Sequence, residues 1–194
     1  DILGNLVAPY EINVGTVSIS IAMNSGWNWF SVNVAGDDMS PNAVLSTLVP
    51  EVNDIVKDQN LFATYYGEDY GWVGALAAID PTSMYMISTS NAGTLEYAGV
   101  PVSAATPISI GAGWNWIGYL PQSDIATNDA LGTVSADLND IVKDQNTFAG
   151  YYGAEYGWVG SLETMSSGKG YMLSVSYESD LVYPNGSGMA RMVT

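Results

Sequence analysis

The 194-residue chain contains no cysteine and no histidine, and its basic residues are only Lys57, Lys143, Lys169 and Arg191. Each absence removes a class of chemistry. Without cysteine there is no disulfide framework and no thiolate nucleophile. Without histidine the commonest general base is gone, and so are most zinc sites. Four cations against 20 acidic residues, a formal net charge of −16, cannot neutralise a phosphate backbone. Nucleic acid is therefore excluded as a partner, and an anionic membrane surface is disfavoured. No apolar run reaches the roughly 18 residues of a spanning helix, so membrane insertion is not expected. The first residues lack a basic stretch ahead of an apolar one and do not read as a signal peptide. The expectation is that a signal has been removed or that the chain is a piece of a longer one.

What fills the chain instead is glycine, small polar residues and aromatics, with 21 Gly, 13 Tyr and 6 Trp. This mixture suits short strands and tight turns better than long solvated helices. The acidic excess favours solubility and attracts divalent cations.

The dominant feature is a block that occurs twice. Residues 53–76 read NDIVKDQNLFATYYGEDYGWVGAL, and residues 139–162 read NDIVKDQNTFAGYYGAEYGWVGSL. Trp27 and Trp114 lie 87 positions apart, whereas Lys57 and Lys143 lie 86 apart, so one residue is lost in the loop near residues 35–38. A period this long exceeds that of a solenoid or a propeller blade. It marks a tandem duplication, or two halves of one pseudo-symmetric domain. The division is a lead-in or linker at 1–18, unit 1 at 19–99, unit 2 at 107–184, and a tail or the start of a following segment at 185–194. Residues 99–107, GVPVSAATP, read as the linker between units.

Within a unit, SISIAM and GWNWFSVNV alternate with the period of strands and are expected to form a hairpin over Asn24-Ser25-Gly26. Ser40 before Pro41 is a helix start, predicting two to three turns that end before Pro50, with Thr127 the corresponding cap in unit 2. NDIVKDQ fits either a helix face or a strand. The aromatic run that follows favours the strand. GWVGAL, YMISTS and TLEY complete the strands, with YMLSVS and DLVY in unit 2. The expected fold is mainly β (β-rich α+β): two homologous small antiparallel β units in tandem, each with one short helix.

Two readings of the repeated aromatics are open. Tyr65, Tyr66, Tyr70 and Trp72, with Tyr151, Tyr152, Tyr156 and Trp158, form either a sugar-stacking platform or the core of a small β unit. Trp27 and Trp29 share a strand face with Trp114 and Trp116 as their copies, and this pair is expected to be buried. Adjacent Tyr65 and Tyr66 point to opposite faces, so one of each pair is the better exposed candidate. Among the carboxylates kept in both copies, nothing sets an acid and a base across a cleft. Structural ion pairs of Lys57 with Asp58 and of Lys143 with Asp144 are expected instead. Asp37 and Asp38, or Glu68 and Asp69, are the candidates for a calcium site, without EF-hand spacing. No other cofactor is expected.

At GWNW, NDIVKDQ..FA.YYG..YGWVG.L and GKGYML the chain resembles a tandem repeat of large secreted or surface-exposed proteins of Bacteroidetes-like bacteria. The resemblance covers most of both units. It departs at residues 81–86, where PTSMYM replaces the Gly-Lys-Gly-Tyr-Met form around Lys169. It implies a secreted or cell-surface location and a module within a longer chain, and it implies no reaction. The functional expectation is a non-enzymatic binding or adhesion module recognising neutral glycans. The alternative is a structural spacer or self-assembling filament or surface-layer subunit using a terminal strand. The expected partner is accordingly a glycan, another surface protein, or a second copy of itself.

Overall fold

The structure, a computed structural model, describes residues 15–184. The readings of residues 1–14 as a lead-in, including the terminal strand of the filament alternative, and of 185–194 as a tail lie outside the described residues.

Unit 1 consists of β1 (Val17–Met23), β2 (Gly26–Phe30), β3 (Val34–Ala35), α1 (Pro41–Val44), β4 (Ile55–Lys57), β5 (Phe62–Tyr65), β6 (Trp72–Gly74), β7 (Tyr85–Thr89) and β8 (Gly93–Pro101). Unit 2 consists of β9 (Ile108–Ile110), β10 (Gly113–Ile117), β11 (Ile125–Ala126), α2 (Thr127–Ala130), β12 (Ile141–Lys143), β13 (Phe148–Tyr151), β14 (Trp158–Gly160), β15 (Thr164–Met165), β16 (Tyr171–Val175) and β17 (Ser179–Leu181). The protein is mainly β, and every pairing is antiparallel. Each unit has a five-stranded sheet of the same order, β2-β7-β4-β5-β6 and β10-β16-β12-β13-β14. In unit 1 the order β1-β8-β3 makes a second sheet; in unit 2 its counterpart is the β17-β9 pair, and β11-β15 is a separate two-stranded sheet. Each unit closes on its own hydrophobic core.

NDIVKDQ is a strand at its centre, as its aromatic successor indicated, and the residues around that strand have separate tasks. Asn53 and Asn139 adopt left-handed conformations, φ 77° and 72°, which asparagine tolerates better than most residues. Asp54 and Asp140 are buried and take turn hydrogen bonds. The Asp54 carboxylate accepts from the Glu51 N–H, the Ser90 N–H and the Ser90 hydroxyl. Asp58 and Asp144 each accept from two N–H groups of the turn that follows.

Four local expectations are corrected. β1 and β2 do not pair with each other; β1 pairs with β8 and β2 with β7. Gly26, at φ 95°, turns the chain from one sheet into the other. Asn28 braces that corner by accepting from the Asn24 N–H and donating to the Asn24 and Gly26 carbonyls. The helices are single turns. Ser40 caps α1 and accepts from the Ala43 N–H. In unit 2 the N-cap position is Ala126, while Thr127 is buried and donates to the Leu162 carbonyl. Finally, β8 runs through Gly99–Pro101 and pairs with β3, so the connection between units is shorter than the sequence reading had it.

Candidate functional site

The tryptophan pairs are not core. On β2 the inward positions belong to Asn28 and Phe30, so Trp27 and Trp29 face outward; Trp27 is 48% and Trp114 46% exposed. Trp29 and Trp116 are half-buried. β2 and β10 are edge strands of their sheets, and the two units meet there.

Lys57 supplies the link, and not through a carboxylate. Its Nζ lies 5.4 Å from the Trp27 ring centre of its own unit and 5.5 Å from Trp116 of the other. Lys143 lies 4.8 Å from Trp114 and 5.7 Å from Trp29. Each cation thus bridges two indoles across the junction, where the ring quadrupoles attract it. The expected ion pairs with Asp58 and Asp144 are overturned. Among the described residues the salt bridge is Lys169 to Asp144, 3.0 Å. β4 and β12 turn their lysines toward the indole face, while Asp58 and Asp144 are occupied by turn N–H groups.

Gln59 and Gln145 complete the contact. The Gln145 amide donates to the Trp27 carbonyl at 2.8 Å and accepts from the Trp29 N–H at 2.9 Å. Gln59 does the same at Trp114, 2.9 Å, and Trp116, 3.0 Å. Residues i and i+2 of an edge strand present a carbonyl and an N–H to the same side. A side-chain amide matches both and closes the edge. Two backbone contacts are reciprocal too: the Ser31 N–H donates to the Gly168 carbonyl, and the Gly118 N–H to the Thr82 carbonyl. Such i-to-j and j-to-i contacts define an isologous interface, here within one chain. Near its centre the copies differ. Met84 is fully buried, and a Cβ on its counterpart Gly170 would lie 2.9 Å from the Met84 Cβ. One large and one small residue share a space that two methionines would overfill.

The tyrosine block lies elsewhere. The β5–β6 hairpin is at the opposite sheet edge from β2, and β13–β14 is likewise opposite β10. Trp72 and Trp158 are buried and leave the list of platform candidates. Tyr65 and Tyr151 are half-buried against them, ring centres 5.5 and 5.3 Å apart. Tyr66, Tyr70, Tyr152 and Tyr156 are exposed, Tyr70 at 73% and Tyr156 at 64%. Phe62, Val73, Phe148 and Val159, on the same hairpins, are exposed as well.

These loops are fixed in place. The Tyr66 N–H donates to the Gly71 carbonyl, and the Gly71 N–H to the Gly67 carbonyl at 2.7 Å. Asn42, from α1, accepts from the Trp72 N–H at 2.7 Å and donates to its carbonyl. Asn128, from α2, holds Trp158 in the same way. Gly71, at φ 66°, leaves room for the Asn42 amide. Sequence reading missed Gln59, Gln145, Asn42 and Asn128, although the presence of each in both copies was a usable signal.

Asp38 accepts from the Ser40 N–H ahead of α1, and this hydrogen bond holds its pKa below the ordinary carboxylate value. Glu68 and Asp69 are exposed beside Tyr70. Among the described residues no three acidic side chains cluster as a metal site requires, and no helix is long and apolar enough to cross a membrane.

Comparison with protein-family models, with curated proteins and with solved structures finds no match to this chain.

Proposed function

We propose that the chain is an extracellular, non-enzymatic binding module of a larger surface protein that holds neutral glycans on its two tyrosine hairpins. The observation that carries this reading is the exposure of Tyr66 and Tyr70, and of Tyr152 and Tyr156, on loops braced from α1 and α2. An exposed aromatic ring pinned by its backbone meets the apolar face of a pyranose with little ordering cost. The clasp between units holds two equivalent sites in one body, so weak binding at each gains from the other. The acidic surface favours neutral over anionic sugars. A non-enzymatic role is supported by the missing histidine and cysteine. It is supported also by Asp54, Asp58, Asp140 and Asp144, whose oxygens brace turns rather than face one another across a cleft. The family resemblance points to the same surface location.

The test is a glycan array probed with and without calcium, using wild type and the double variant Tyr70→Ala/Tyr156→Ala. Wild type is expected to retain neutral glycans, and the variant to lose about two- to tenfold in affinity, as stacking of about 0.5–1.5 kcal/mol per ring implies. Absence of glycan binding by wild type, or equal binding by the variant, overturns the proposal. Retention only with calcium would add a bridging ion to it.

A further inference from the structure

The internal two-fold gives the lysine, glutamine and tryptophan contacts of the junction their counterparts, and beside them lies a place where the two halves differ. A cavity of about 410 Å³ lies between the β1–β2 corner of unit 1 and two turns of unit 2. That volume falls within the about 300–1,000 Å³ of small-molecule sites. Its frame is common to both copies: Asn28, Trp29 and Asp144 correspond to Asn115, Trp116 and Asp58. Its remaining wall is not. Ser20, Gly168, Lys169 and Gly170 stand here; the other junction has Pro107, Thr82, Ser83 and the buried Met84. Substitution between otherwise similar repeats has made this one junction more polar, with glycine on either side of its lysine.

We infer that this cavity is a second, single carbohydrate subsite, taking a neutral saccharide of one or two rings. The free groups lining it fit a polyol. The Lys169 ammonium makes one hydrogen bond, to Asp144, is 52% exposed, and keeps two N–H groups for a ligand. Among the described residues the side chains of Asn24 and Asn146 make no hydrogen bond, and each amide offers donor and acceptor. Trp29 adds the indole surface not covered by Lys143. Asp144, buried and held by its own turn, balances the lysine charge and fixes its position. Paired charges leave no net attraction for an anion, and a chain of charge −16 repels one. This inference rests on neutral glycans as the ligand class, and not on the tyrosine hairpins.

The two sites separate in one experiment. The ¹⁵N-labelled full chain is titrated with cellobiose, maltose and N,N′-diacetylchitobiose at millimolar concentrations. The variants are Lys169→Ala, Asn24→Ala/Asn146→Ala and Tyr70→Ala/Tyr156→Ala. At least one disaccharide is expected to shift the Gly168, Gly170 and Asn146 amides and the Trp29 indole N–H. Those shifts should persist in the tyrosine variant. They should need about tenfold more sugar in Lys169→Ala, the equivalent of one charge-assisted hydrogen bond. The exposed asparagine pair tests the same claim with side chains that the fold does not use. Shifts confined to the tyrosine hairpins would overturn the inference and leave the proposed function standing. Cavity shifts that ignore both sets of cavity substitutions would overturn it as well. No shift anywhere would sink both.

Discussion

Lys57 and Lys143 show how little a residue's type says about its partner. In a chain with 20 carboxylates the expected neighbour of a lysine is an acid, yet these two lie over indoles. The alternation of GWNW shows that both tryptophans share a face. It does not say whether that face meets the unit's own core or a second unit, because both bury apolar surface. Asn28 was the clue: a residue able to close a corner with three hydrogen bonds takes the inward position and turns the tryptophans out. Lys57→Met keeps the aliphatic stem and removes the charge. It is expected to cost about 1 kcal/mol in urea unfolding, the range for a half-buried cation over an aromatic face. A variant as stable as wild type would mean that the lysine stem, and not its charge, makes the contact.

The hairpins and corners were legible to differing degrees. β4, β5 and β7 follow from β-branched and aromatic runs, and their copies follow with them. Helix length did not follow, because a Ser-Pro start says where a helix begins and not where packing ends it. The β1–β2 pairing was misread because a turn flanked by alternating strands resembles a hairpin locally. Here the same turn crosses between sheets. The tyrosine hairpins were found from sequence, but their bracing from α1 and α2 was not, since Asn42 and Trp72 lie 30 positions apart. Gly71→Ala tests that bracing. A Cβ there meets the Asn42 side chain, and φ 66° is strained for any L side chain. The expected loss is about 1–3 kcal/mol, with the Tyr66 and Tyr70 amides shifting in the NMR spectrum. An unchanged spectrum would contradict the reading of the loop as pinned.

At the scale of the molecule, the duplication was plain in the sequence and the clasp was not. Reciprocal contacts between distant repeats leave no local pattern beyond being present twice. Two pH limits follow from the buried groups. Burial raises the Asp144 pKa, but hydrogen bonds from Asn146, Thr147 and Lys169 outweigh it and leave the group below its ordinary value. Its contribution is therefore complete above the ordinary carboxylate range and lost as pH falls through the lowered value. Asp144→Asn should flatten the acid limb of a stability-against-pH curve, and an unaltered limb would contradict this. Burial raises the phenols of Tyr85, Tyr119, Tyr171 and Tyr183. Their contribution is intact below about pH 10 and erodes above it. Of the 13 tyrosines the exposed ones, Tyr66, Tyr70, Tyr152 and Tyr156 among them, should ionise in the folded protein, while the tyrosinate absorbance of these four buried phenols should appear only together with unfolding; full ionisation of all 13 before unfolding would contradict their burial. The account depends most on the two repeats forming one body through Lys57, Lys143, Gln59 and Gln145. Scanning calorimetry tests this most directly. Wild type should unfold in one transition whose calorimetric and van't Hoff enthalpies agree, while Gln59→Ala/Gln145→Ala should lower and broaden it or split it in two. Two separate transitions in wild type, or a double variant indistinguishable from it, would contradict the clasp.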